Sequence, residues 1–129
     1  MEHDTIAAAL SAMNNAEARG KTEVVVKPGS KVMQQILNVL KNEEYIKGFE
    51  YVENRKGGEI KVTLTGSINK IGVIKPRYPI TLQEFEKFEK RYLPAKDFGR
   101  LIISTSKGIT THLDAKAKKQ GGVLLAYVY

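Results

Sequence analysis

Apolar residues repeat with two different periods along the first half of the chain. At residues 4–19 and 31–42 they recur every three to four positions, the spacing that places them on one face of an α-helix. Ser30 precedes the second of these segments and is a favourable N-cap. Between and after the helices, compact β-branched or strictly alternating stretches predict strands. The predicted strands cover residues 23–27, 48–53 and 59–65.

The second half has shorter apolar stretches, which proline and glycine interrupt. Thr81 and Glu84 have the spacing of a capping box, which predicts a helix that runs to about Tyr92. The apolar stripe of this helix, which we expect in the core, comprises Leu82, Phe85, Phe88 and Tyr92. A second, short helix is predicted to begin at Thr111 and to end at Gly121–Gly122. Short strands are predicted at residues 73–74, 101–103, 109–111 and 123–129.

These elements predict an α/β (α+β) fold made of two small mixed lobes. The first lobe has the element order α-β-α-β-β, and the second is β-rich with two helices. The connector at residues 66–70 follows the last strand of the first lobe and marks a change in charge balance. We therefore place the N-terminal lobe at residues 1–66 and the C-terminal, basic lobe at residues 67–129.

Charge distinguishes the two halves more sharply than hydrophobicity does. The formal net charge of the 129 residues is +7, yet residues 1–69 contain nine basic and nine acidic side chains. Residues 70–129 contain twelve basic and five acidic side chains, so they carry the whole excess. A basic half beside a neutral half indicates binding to nucleic acid or to another polyanion.

Composition also excludes several classes of site. The chain has no cysteine and only two histidines, which leaves little from which to build a metal centre. No apolar run is long enough to span a bilayer, and the acidic N-terminus lacks the pattern of a signal peptide. We expect no cofactor, no metal and no membrane contact, and a location in the cytoplasm.

The stretch at residues 101–109 carries the most distinctive chemistry. Three aliphatic residues precede a polar segment, named here the hydroxyl loop, which consists of Ser104, Thr105, Ser106, Lys107 and Gly108. Small hydroxyl groups beside a cation, on a turn that a glycine lets bend closely, suit contacts to RNA sugars and base edges. A polar strand end with a local turn is the simpler interpretation of the same residues.

Further basic residues are candidates for RNA contact. Prolines stiffen the backbone at residues 75–79, so its cations and aromatic ring are expected to project towards a ligand. Lys31 lies beside the free N–H groups at a helix start, where a phosphate can bind. The second predicted helix of the C-terminal lobe carries the densest basic cluster. These candidates are Lys75, Arg77, Tyr78, Lys31, Lys116 and Lys119.

Two other classes of function compete with RNA binding. Ser104 or Ser106, together with His112 and Asp114, supplies the residue types of a hydrolase, but no nucleophile-elbow motif surrounds either serine. His112 is better explained as part of the first turn of a helix, and we expect no enzymatic activity. The third interpretation is a basic adaptor that binds proteins through a sheet edge.

Several motifs together resemble a known family. The chain resembles protein eight of the small ribosomal subunit, in its archaeal and eukaryotic form, over essentially its full length. The Ser-Thr-Ser-x-Gly run of the hydroxyl loop, at its distance from a C-terminal Gly-Gly strand, is the most specific of these motifs. The motifs lie at residues 14–17, 28–32, 64–70, 75–78, 93–94, 104–109 and 121–122.

The resemblance implies a two-lobed, structural ribosomal protein that binds the central domain of small-subunit rRNA early in assembly. It implies contacts by the hydroxyl loop, by Ser30 and Lys31 in the first lobe, and near Gly121 and Gly122. Bacterial relatives also bind their own message, so that RNA is a further candidate partner. Other small-subunit proteins are expected neighbours, and the free protein is expected to be a monomer. Bacterial members carry an acidic residue after the Gly-Gly pair, and Val123 stands there instead.

Overall fold

The computed structural model describes residues 5–27, 29–55, 57–74, 77, 79–95 and 98–129. The chain divides into two compact units between Ile71 and Gly72. The sequence placed this boundary five residues earlier, between residues 66 and 67. Within the described part of the chain, no helix combines the length and the apolar character needed to cross a membrane.

The first unit has the predicted order α-β-α-β-β. Its sheet is antiparallel, with β3 between β1 and β2. Apolar residues alternate along β3, so that Ile60, Val62 and Leu64 are buried on one face. The buried stripe of α2 includes Met33 and Leu37. The elements are α1 (Thr5–Ala18), β1 (Glu23–Val26), α2 (Lys31–Asn42), β2 (Ile46–Val52) and β3 (Glu59–Leu64).

The second unit is built on one sheet with two helices. In this sheet β8 lies between β4 and β6, β7 forms an edge beside β6, and the short β5 also pairs with β8. The pairs β5–β8, β6–β7 and β6–β8 are antiparallel. The elements are β4 (Ile71–Val73), β5 (Pro79–Ile80), a 3₁₀ turn (Leu82–Glu84), α3 (Phe85–Tyr92), β6 (Arg100–Thr105), β7 (Gly108–Thr111), α4 (His112–Ala117) and β8 (Gly122–Val128).

The core of the second unit joins α3 and α4 to the central strands. Phe85 and Phe88 of α3 are buried against Leu101 and Ile103 of β6 and Leu124 of β8 in one cluster. The buried pairing of β8 with β6 confirms the prediction that the apolar C-terminal stretch lies inside a sheet. Because β6 is central and buried, the hydroxyl loop that follows it starts from a rigid strand.

Two details of the predicted helices were wrong. The capping box of Thr81 and Glu84 is present, but it opens a 3₁₀ turn before α3 begins at Phe85. A 3₁₀ turn has three residues per turn, so Leu82 rotates away from the α-helical stripe and is 38 % exposed. The second helix ends at Ala117 rather than at Gly121, because Lys119 adopts a left-handed φ of 54° that stops the helix.

Candidate nucleic-acid interface

The hydroxyl loop lies at the tip of the β6–β7 hairpin. Thr105 pairs with Gly108 across the hairpin, so Ser106 and Lys107 are the two residues of the turn. Ser106, Lys107 and Gly108 are exposed, whereas Ser104 and Thr105 are half-buried at the strand end. The structure therefore directs two of the predicted contacts, a hydroxyl and an ammonium group, into solvent.

The Thr105 side chain determines the shape of this turn. Its hydroxyl donates a hydrogen bond to the Gly108 carbonyl oxygen at 2.9 Å and accepts one from the Lys107 backbone N–H at 3.2 Å. Gly108 has a φ of 122°, a backbone conformation that favours glycine, although no atom lies within 4 Å of the position of a Cβ. Thr105 and Gly108 thus have local roles in the turn that do not require a ligand.

Gly121 and Gly122 permit close packing of backbone on backbone. A Cβ on Gly121 would lie 2.6 Å from the Ile80 carbonyl oxygen. A Cβ on Gly122 would lie 2.7 Å from Ile103 Cγ2 and would overlap the Ser104 carbonyl oxygen. The structure therefore packs Gly122 against β6, the strand that carries the hydroxyl loop, and Gly121 against β5 and Thr81. Packing explains why these two positions lack side chains, and direct RNA contact by them stays a prediction.

The predicted basic cluster on α4 divides into paired and unpaired lysines. Lys116 forms a close ion pair with Glu89 of α3, and Lys118 forms one with Asp114 at 3.3 Å. Lys119 follows the helix, is exposed, and donates its backbone N–H to the Lys116 carbonyl oxygen at 3.0 Å. Within the described residues no ion pair involves Lys119 or Lys107. Both ammonium groups can therefore meet an anionic ligand without first breaking an ion pair.

The proline-stiffened segment is only partly described. Lys75 and Tyr78 lie outside the described residues, so their predicted contacts stay predictions. Arg77 is exposed between β4 and β5.

The two predicted residues of the first unit lie at the start of α2. Ser30 caps this helix, because its hydroxyl oxygen accepts the Met33 backbone N–H at 3.2 Å. Lys31 is exposed and borders a shallow cavity that is also lined by Gln34, Asn38 and Phe49. Ser30 therefore has a structural role as a helix cap, and its contact with RNA stays a prediction.

Sequence reasoning missed a buried polar network in the second unit. The Leu101 backbone N–H donates to His112 Nδ1 at 3.0 Å, and His112 Nε2 lies 3.2 Å from Glu89 Oε1. Burial, partly offset by the Glu89 carboxylate, lowers the pKa of His112 from 6.5 to about 4. The imidazole is therefore neutral at physiological pH, with its proton on Nε2. The position of His112, four residues after the start of β7, does not indicate these contacts in the sequence. The contacts join separate elements, which only the fold brings together.

This network argues against the hydrolase alternative. Both nitrogens of His112 are committed, so neither can accept a proton from Ser104 or Ser106. The Asp114 carboxylate accepts a hydrogen bond from Thr110 and pairs with Lys118, and these contacts lower its pKa. The described residues contain no group of three or more His, Asp or Glu side chains that could hold a metal ion.

The architecture and the exposed loop define the chain as a small, basic α+β protein, and the comparisons with known proteins identify its family. Residues 4–129 match the family model for ribosomal protein S8. A small ribosomal subunit protein uS8 from Archaeoglobus fulgidus is 51 % identical over 129 residues, which is the whole of both chains. A second uS8, from Desulfurococcus amylolyticus, is 54 % identical over 98 % of this chain and 97 % of its own.

The chain belongs to the ribosomal protein S8 family. This membership confirms the predicted resemblance and the predicted class, a structural constituent of the cytoplasmic ribosome rather than an enzyme. It also agrees with the mixed α+β fold. The residues that contact RNA are not specified by these comparisons, so their assignment depends on the geometry.

Proposed function

We propose that this protein binds small-subunit rRNA directly, in its central domain, and helps to assemble and stabilise the small subunit. The observation that carries the proposal is the exposed turn of the hydroxyl loop. This turn presents Ser106 and Lys107 on a rigid hairpin, within the half of the chain that holds the whole excess of positive charge. Relatives named as small ribosomal subunit proteins support the choice of RNA.

The two exposed side chains of the turn have different tasks. Lys107 neutralises a phosphate and contributes affinity that does not depend on sequence. The Ser106 hydroxyl both donates and accepts hydrogen bonds, so it can meet a 2′-hydroxyl or a displaced base edge in an irregular helix. Lys119 supplies a second unpaired cation of the same unit, and Ser104 supplies a half-buried hydroxyl behind the turn.

The other predicted residues either support the loop or add further contacts to RNA. Thr105 holds the turn through its two hydrogen bonds, and Gly122 lets β8 approach the Ser104 carbonyl closely. Lys116 is held by Glu89, so its contribution to phosphate binding is smaller than that of Lys119. Lys31 adds a basic contact from the first unit. Lys75, Arg77 and Tyr78 extend the proposed interface along the segment between β4 and β5.

The proposal is tested by binding to a central-domain fragment of small-subunit rRNA and to a scrambled duplex, across a series of salt concentrations. We expect tighter binding to the fragment. Ser106→Ala should reduce the preference for the fragment by about 1 kcal/mol, the value of one hydrogen bond. Lys107→Ala should weaken binding to both RNAs and lower the log–log salt slope by about 1.

Matched substitutions in the first unit serve as controls. Ser11 and Lys47 are exposed there, so Ser11→Ala and Lys47→Ala remove the same groups far along the chain from the hydroxyl loop. Equal and steeply salt-dependent binding of the unsubstituted protein to both RNAs would contradict specific recognition. A binding partner retained after RNase treatment, with no RNA preference, would instead favour the protein-binding adaptor.

A further inference from the structure

A cavity of about 450 Å³ lies beside α3 and α4 in the second unit, apart from the hydroxyl loop. Its back is formed by buried side chains, Leu93 and His112, whereas Pro94 and Ala95 at its rim are exposed. The cavity is large enough for a planar heterocycle, and its lining combines three apolar residues with charged side chains and a histidine, so it offers both stacking and polar contacts.

One wall of this cavity carries a carboxylate whose orientation is fixed. Glu89 is 18 % exposed, and its Oε1 atom faces both His112 Nε2 and Lys116 Nζ. Among the described residues, no hydrogen bond or ion pair involves the second oxygen, Oε2. A held carboxylate with an unused oxygen is a hydrogen-bond acceptor prepared for an N–H donor.

The rim of the cavity carries charges of both signs. Glu86 and Lys90 form an exposed ion pair at 3.4 Å, and Lys116 lies on the α4 side. A nucleotide matches this arrangement, because its phosphate suits Lys90, whose solvent-exposed pair with Glu86 is weak, and the amino group of its base suits the Glu89 carboxylate. An arginine side chain of a partner protein would pair with the carboxylates but would have no favourable contact with the two lysines, which would repel it.

We propose that this cavity, the α3–α4 pocket, binds a single unpaired nucleotide whose base carries an exocyclic amino group. The base lies against Leu93, Pro94 and Ala95 and donates to Glu89 Oε2, while its phosphate meets Lys90. The inference rests on the proposed function, because it names an unpaired nucleotide of the bound RNA as the occupant. It adds a second recognition site to the hydroxyl loop.

The test uses small probes with the whole protein, so that it does not depend on the rRNA fragment. Backbone NMR shifts are followed during titration with AMP, with ribose 5-phosphate, which lacks a base, and with N-acetylarginine amide. We expect AMP to shift the signals of pocket residues with a Kd on the order of 1 mM. Ribose 5-phosphate should bind at least about tenfold more weakly, because a lone phosphate leaves the Glu89 acceptor and the apolar floor unused.

Two substitutions distinguish the pocket from general attraction to a basic surface. Ala95→Phe fills the cavity from an exposed position and should abolish the AMP shifts, whereas Ala8→Phe, on exposed Ala8 of α1, should leave them unchanged. Lys90→Ala removes a side chain that is 77 % exposed, so it should preserve the fold and weaken AMP binding several-fold.

Three results would overturn the inference: no pocket shifts with AMP, equal affinity for AMP and ribose 5-phosphate, or a preference for N-acetylarginine amide. The last result would assign the pocket to a protein side chain. Failure of the unsubstituted protein to prefer the rRNA fragment would contradict the proposed function separately, and the AMP titration would remain interpretable.

Discussion

Gly122→Ala distinguishes packing from RNA contact at the Gly-Gly pair. The added Cβ would lie 2.7 Å from Ile103 Cγ2 and nearer still to the Ser104 carbonyl oxygen. Carbon atoms in contact are normally separated by about 3.5–4.0 Å, so β8 and β6 must move apart by about 1 Å. This movement strains the pairing between Ser104 and Val123 at the base of the hydroxyl loop.

The size of the effect follows from three contributions. Overpacking of this kind costs about 1–3 kcal/mol, and a weakened backbone hydrogen bond adds about 1 kcal/mol. The lower entropy of alanine in the unfolded chain returns about 0.5 kcal/mol. We therefore expect a loss of about 2 kcal/mol in the free energy of unfolding, or a fall of about 8 °C in Tm.

Thermal and denaturant unfolding measure this loss, with Gly48→Ala as the matched control. Gly48 also lies in a strand, but no atom lies within 4 Å of its Cβ position, so its substitution should leave stability unchanged or slightly raised. RNA affinity of the Gly122→Ala protein should fall together with its stability. A protein of unchanged stability that binds RNA more weakly would refute the packing argument and assign Gly122 to direct contact.

Two further predictions concern α4 and the turn that follows it. Because burial lowers the pKa of His112 to about 4, the unfolded state binds the extra proton between about pH 6.5 and pH 4, and stability should fall by about 3 kcal/mol as the pH decreases through this window. Unfolding of His112→Gln, which keeps a donor and an acceptor but does not titrate, should show no such loss from this site. Lys119→Gly relieves a left-handed φ of 54° and should raise stability by about 1 kcal/mol. The same change should weaken RNA binding and lower the salt slope by about 1, and unchanged binding would remove Lys119 from the interface.

Local patterns were sufficient to predict the order of the elements in the first unit and most of it in the second, where the short strand β5 was not predicted. Helix periodicity, the Ser30 cap and the alternation along residues 59–65 depend on neighbours within a few positions, and the structure contains each of these features. The cost of burying unpaired hydroxyl groups also predicts that part of residues 104–106 points outward, and Ser106 is exposed. The failure at Leu82 arose from a local choice between 3₁₀ and α geometry that apolar spacing alone does not resolve.

Tertiary contacts were beyond the reach of the sequence. The roles of Gly121 and Gly122 depend on the strand and turn against which they pack, and spacing along the chain does not reveal these neighbours. The contacts of His112 likewise join residues 11 and 23 positions away, Leu101 and Glu89. The α3–α4 pocket depends on the same fold-dependent contacts. Residues assigned to the RNA site from sequence motifs therefore include some, such as Gly121 and Gly122, whose contacts in the structure are packing contacts that support the site.

The carboxylates of the second unit bear on which of its lysines remain available to a polyanion. Glu84 caps the 3₁₀ turn through Thr81, and Asp114 bonds to Thr110 and Lys118. Glu86 pairs with Lys90, and Glu89 is held by His112 and Lys116. Each of these four carboxylates thus has a partner in or next to α3 or α4, although Oε2 of Glu89 makes none of these contacts. None of them pairs with Lys107 or Lys119 among the described residues.

An unpaired ammonium group on an exposed turn keeps its attraction for phosphate, whereas a lysine in an ion pair must first give up its partner. The proposed interface therefore depends on where the acidic residues find their partners as well as on the lysines.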